Sequence, residues 1–251
     1  MLTRKIGSGT PYYKALIYGM YGTGKTLLAC TAAQHPDMCP VLIVNIEGGT
    51  ITASNIPGAD ETEQLFTVKD VDQVFWDLAN GTEGFDKYKT IVIDSGSALS
   101  QLCLVECARA NAKANKQDFR LSQQDYGDNL VLVLDLLRRF RNLSKHVIVT
   151  AGLREDYDVT QAIDKIRKGP AQCGPDFPPA LAKRLNHTFD HVHCLSADED
   201  GKRQLLTQPQ GAYTAKTRGK EFAEALGSVV DNPNLAEIFS LFVSTQSKEN
   251  N

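Results

Sequence analysis

The chain has 251 residues, 42% of them hydrophobic, with 27 basic and 30 acidic side chains and a formal net charge of −3. That length and composition predict one large domain, or a core plus a small appendage. The charge balance excludes a protein wrapped in a global positive field, so any nucleic-acid contact must be a local patch. No apolar run approaches the ~20 residues that span a bilayer. Met1-Leu2-Thr3-Arg4-Lys5 lacks the apolar centre of a signal peptide. The six cysteines form no C-x-x-C pair, which predicts a reduced, cytoplasmic protein with no membrane partner.

Residues 1–10 read as a flexible lead-in, 11–243 as a single domain and 244–251 as a polar tail. Tyr12 to Tyr18 is apolar and β-favouring, and it enters Gly19-Met20-Tyr21-Gly22-Thr23-Gly24-Lys25-Thr26. This is Gly-x-x-x-x-Gly-Lys-[Ser/Thr], the phosphate-binding loop, spelled without departure. Lys25 to Gln34 has helix formers and no Gly or Pro, so strand, loop and helix follow in the required order. The glycines let backbone approach phosphate oxygens. Nucleotide contacts are expected at Gly19, Tyr21, Gly22, Thr23, Gly24, Lys25, Thr26 and Leu27. Lys25 is expected at the β- and γ-phosphates of ATP, and Thr26 at Mg²⁺.

Val41 to Ile46 is a second buried strand, ending in Glu47-Gly48-Gly49-Thr50. Residues 51–68 read as loop and short strand. Asp70 to Asn80 has helical spacing and stops at Gly81. Thr90 to Asp94 is a third strand, ending in a carboxylate suited to hold Mg²⁺ opposite Thr26. Helices are expected over 98–111 and 127–143, with a basic loop over 112–124 carrying Lys113, Lys116 and Arg120. His146 to Thr150 is a fourth strand, and 152–179 reads as a long irregular segment. Asp190 to Thr207 reads as an antiparallel hairpin turning at Asp198-Glu199-Asp200-Gly201. A strand end over 213–218 and helices over 219–227 and 234–244 complete the chain. Strands alternating with helices imply an α/β fold: a mainly parallel sheet with helices on both faces and a C-terminal antiparallel hairpin extension. Ligands in such sheets sit at the carboxyl ends of the strands.

Ser95 follows Asp94, where many P-loop ATPases carry their catalytic glutamate. Glu47, at the end of the strand after the P-loop helix, is therefore the candidate base for water. This arrangement resembles the RecA-like P-loop ATPases, which place the catalytic glutamate at that strand end. Ile46-Glu47-Gly48-Gly49-Thr50, Asp125-Tyr126-Gly127 and Pro178 to Leu185 are similar to a bacteriophage subset, the Sak-type RecA-core ATPases of single-strand DNA annealing and recombination.

The resemblance implies a DNA-stimulated ATPase that binds ATP and Mg²⁺ at the interface of a homo-oligomeric ring or filament. It implies that Lys216 and Arg218, two apart and so pointing the same way on a strand, reach the neighbouring subunit's nucleotide. Thr150 stands at the γ-phosphate sensor position, where the family often has Gln or His. The two DNA loops map to 112–124 and 153–180, with Lys113, Lys116, Arg120, Arg154, Lys165, Arg167 and Lys168 as cations and Phe119, Tyr157 and Phe177 as base-stacking aromatics. A single-strand binding protein or a helicase is the implied protein partner. Two other readings stay open: a nucleotide-switched loader or scaffold for a replication protein, and a small-molecule P-loop kinase. His187, His191, His193 and Cys194 match no common zinc spacing.

Overall fold

A computed structural model describes residues 11–49, 55–116, 118–156 and 171–249. Five strands form its parallel centre: β1 (Lys14–Tyr18), β2 (Val41–Asn45), β4 (Thr90–Asp94), β5 (His146–Ala151) and β8 (His191–Ala197). The short β3 (Ala59–Glu61) adds to one edge in parallel. At the other edge lie the antiparallel β9 (Arg203–Leu206), β10 (Lys216–Thr217) and β11 (Val229–Asp231). The order is β11-β9-β8-β1-β5-β4-β2-β3, with β10 also on β8. Thus β5 lies between the strand leading into the phosphate loop and the strand ending in Asp94. The molecule is an α/β domain, a mainly parallel sheet with helices on both faces and the antiparallel extension expected from its sequence.

Strands β1, β2, β4 and β5 are buried along their whole length, as parallel strands covered on both faces must be. Their period of two divides the core in two. Leu16, Leu42, Ile91, Ile93, Val147 and Val149 face one side. That side is covered by α2 (Val68–Asn80), α3 (Gly96–Asn115), α4 (Gln123–Arg141) and α5 (Pro179–Thr188). Ala15, Ile17, Ile43, Val92 and Ile148 face the other. There α1 (Lys25–Cys30), α6 (Lys220–Leu226) and α7 (Leu235–Glu249) pack, with Phe222 edge-on to Phe242 and Phe239 tilted against it.

Local signals explain the element ends. Thr67 and Asp70 form a capping box at the start of α2, and Gly81 closes it at φ 64°. Ser122 and Asp125 form a second box, starting α4 four residues before the expected Gly127. Three expectations need correction. First, α3 continues to Asn115, so Lys113 belongs to a helix rather than a loop. Second, the segment expected to be irregular over 152–179 carries β6 (Leu153–Asp156) and β7 (Gln172–Pro175), paired antiparallel as a separate two-stranded sheet. Gly174 and Pro175 end β7, opposite Arg154 and Leu153, and Pro at a strand end removes no interior ladder bond. Third, α7 runs through Glu249, past the expected helix end at 244.

A candidate nucleotide-hydrolysing site

The register of the sheet assembles the site. Asp94 has the parity of Val92 and Thr150 that of Ile148, so both point to the face covered by α1, whose second residue is Thr26. The Thr26 hydroxyl donates to Asp94 Oδ2 at 2.9 Å, and the Thr150 hydroxyl donates to the other oxygen, Oδ1. Asp94 is 5% exposed and makes no ion pair among the described residues. A buried carboxylate with two hydroxyl donors and no cationic side chain paired to it is a site that a divalent cation completes. The residues therefore fit Mg²⁺, with Asp94 and Thr26 to hold it. Thr150 stands at the expected position but its hydroxyl is committed to Asp94. It orients that carboxylate.

The phosphate loop folds back on itself. Lys25 Nζ donates to the carbonyls of Gly19 at 2.9 Å and Met20 at 2.8 Å, and Thr23 Oγ1 donates to Met20 at 2.9 Å. Burial lowers the Lys25 pKa, and the nearby charges of Glu47 and Asp94 oppose that shift. Gly22 and Gly24 have φ of 76° and 89°, which other residues rarely adopt. Gly19 is required for a different reason: a β-carbon there would lie 2.1 Å from the Leu195 carbonyl oxygen of β8. The neighbouring strand, as well as the ligand, dictates that glycine.

A cavity of about 760 Å³ opens over the loop. Its walls include Tyr21, Gly22, Gly24, Lys25, Thr26, Leu27, Glu47, Asp94 and Ser95. Glu47 is exposed, and its own amide donates to the Asp94 carbonyl at 3.2 Å. Gly48 follows at φ 83°, its amide bound by Asn45 Oδ1 at 2.8 Å, so the turn after β2 leaves the Glu47 side chain free toward the cavity. Ser97, Gln101, Asp176 and Arg203 also line it. No motif or local pattern marks these four, because only the tertiary fold brings α3, the segment after β7 and β9 to this edge.

The remaining expected residues lie elsewhere. Lys216 donates to the carbonyls of Asn186 and Phe189, both at 2.6 Å, and so closes the end of α5. Arg218 pairs with Asp190, which also accepts from Arg141. Lys113, Lys116 and Arg120 are exposed around the tip between α3 and α4, with Phe119 beside them, 54% exposed. Arg154 is held by both oxygens of Asp156 and by the Phe177 carbonyl. Phe177 itself is 2% exposed, packed where a β-carbon on Gly96 would touch it. It is a core residue, and the expectation that it stacks on bases is withdrawn. Tyr157, Lys165, Arg167 and Lys168 lie outside the described residues. His191 and His193 sit on β8 with Cys194 directed to the opposite face, and His193 Nε2 lies 3.1 Å from the Thr217 hydroxyl.

Comparison with known families decides the class, since the model for the AAA domain family matches residues 12–219. The chain belongs to the AAA domain family. This AAA domain protein is similar in structure to the RadB recombinase, at 18% sequence identity over 80% of this chain and 86% of that one, with a TM-score of 0.43. No curated protein matches it. Family membership and the site geometry together make the AAA domain protein a P-loop ATPase of the AAA type. Among its described residues no helix is long and apolar enough to cross a membrane.

Proposed function

We propose that this AAA domain protein is an ATPase whose nucleotide cycle is coupled to single-stranded DNA, and that it acts in bacteriophage recombination or annealing. One observation carries the enzymatic half. Glu47, Lys25, Thr26 and Asp94 line one cavity, with the Asp94 carboxylate clamped by two hydroxyls. Lys25 leaves its own loop carbonyls to neutralise the β- and γ-phosphates. Glu47 orients a water and takes its proton. Asp94 and Thr26 would hold Mg²⁺, which would supply charge neutralisation at the β- and γ-phosphates.

The DNA half is supported by the cations Lys113, Lys116 and Arg120, exposed with Phe119 at one tip. That combination suits single strands, where cations track phosphates and an aromatic ring stacks a base. Arg218, with a 60% exposed side chain, is the better placed of the Lys216–Arg218 pair to reach a neighbouring protomer's nucleotide. A loader or scaffold for a helicase would use the same site as a switch. Steady-state ATP hydrolysis with and without single-stranded DNA separates these readings. Stimulation by DNA, lost steeply with added salt, is the expected result. A rate indifferent to DNA rejects the coupling and leaves the loader.

A further inference from the structure

Arg203 belongs to no motif, yet the fold fastens it to the phosphate loop. It pairs with Ala197 across the hairpin, and its carbonyl accepts from the Asn232 amide at 2.8 Å, so its backbone is held from both sides. Its Nε, Cζ and one terminal nitrogen lie 2.8, 2.9 and 3.0 Å from the point a β-carbon on Gly24 would occupy. The guanidinium is thus packed on the last glycine before Lys25, and it lines the same cavity as Lys25, Thr26 and Glu47. Among the described residues its side chain has no hydrogen bond and no ion pair. A guanidinium carries five donors in a planar fork matched to phosphate oxygens.

We propose that Arg203 is a nucleotide-binding residue acting within its own protomer, its guanidinium pairing with phosphate oxygens of the triphosphate that the Gly19–Thr26 loop holds. This rests on the nucleotide-binding reading of that loop and adds a contact from a different part of the chain. It also gives the β8–β9 hairpin a task at the site, besides extending the sheet. Unlike Arg218, Arg203 needs no neighbouring subunit.

The test is equilibrium binding of MgATP to the full chain, unaltered and as Arg203→Ala, Arg203→Gln and Arg203→Lys, with Lys25→Ala as the reference for a lost phosphate loop. Arg203→Gln keeps much of the side-chain bulk and removes the charge, which guards against a folding effect. The expected result is affinity lower by about 10- to 100-fold for the alanine and glutamine variants, the contribution of a charge-assisted hydrogen bond. Arg203→Lys should recover most of it. Mixing each variant with a large excess of Glu47→Gln subunits should not restore its binding, because the contact is internal. ATP affinity within about twofold of the unaltered chain in Arg203→Gln, with Lys25→Ala still defective, overturns the assignment to Arg203 alone. If the unaltered chain binds no MgATP, or Lys25→Ala binds it equally well, the nucleotide reading fails and this assignment fails with it.

Discussion

At the scale of single residues, the two carboxylates of the cavity differ in freedom, Asp94 being buried and Glu47 exposed. Asp94 is buried and locked by Thr26 and Thr150, so its position is fixed before any ligand arrives. Glu47 is exposed at the cavity wall. Glu47→Gln keeps the shape and removes the base, so it is expected to lower kcat by about 10²- to 10⁴-fold. ATP affinity should change little; single-turnover hydrolysis beside equilibrium binding checks this. Lys25, Thr26, Asp94 and Glu47 were all legible in the sequence, because each is adjacent to a glycine pattern or a strand end. Thr150 was legible as a position and not as a role. Its hydroxyl is assigned by register, since Ile93 lies opposite Val149 and the next pair brings Asp94 beside Thr150.

At the scale of elements, the β8–β9 hairpin is the wall against which the phosphate loop is built. Gly19→Ala places a methyl 2.1 Å from the Leu195 carbonyl, and backbone must move to relieve it. Overpacking of this kind costs about 1–3 kcal/mol. The expected outcome is a lower midpoint in urea together with weaker ATP binding, although residue 19 presents no side chain to the ligand.

The strand starts also set an acid limit. Burial lowers His146 to about 4 and His193 to about 3, and it also lowers His191 well below its usual value. The Tyr13 amide donates to His146 Nδ1 at 3.0 Å, which agrees with a neutral ring. Each folded pKa lies below the unfolded value of about 6.5, so between them the unfolded chain binds more protons. Stability is therefore full above pH 6.5 and falls as pH drops toward 4. By pH 5 the loss is about 2 kcal/mol for each histidine that stays neutral in the fold. Urea titrations at pH 7 and pH 5 should show it, and His146→Gln should shrink the difference.

At the scale of the whole molecule, the nucleotide cavity and the Lys216–Arg218 strand lie at different places on the sheet. The cavity is at the carboxyl end of β1, whereas Lys216 pairs with Val192, level with Leu16 in mid-strand. If Arg218 serves a neighbour's site, specific ATPase activity should rise with protein concentration. Mixed assemblies of Arg218→Ala and Glu47→Gln subunits should then recover activity that neither has alone. A specific activity flat across two decades of dilution, with no rescue on mixing, would remove the shared site. Within one protomer, Lys216 has a sufficient task at the carbonyls of Asn186 and Phe189.

By itself, the chain of residues marked the phosphate loop, the alternation of strands and helices, and the two strand-end carboxylates Asp94 and Glu47. These are local signals: glycine spacing, apolar period and a charge at the end of an apolar run, all readable within a few positions. The tertiary structure alone decided that β5 lies between β1 and β4, that Thr150 binds Asp94, and that Phe177 belongs to the core. It also decided that Leu195 and Arg203 press on glycines more than 170 positions earlier in the chain. Such contacts leave no periodic trace, because they arise where strands distant in sequence become neighbours in the sheet and their side chains meet at one edge.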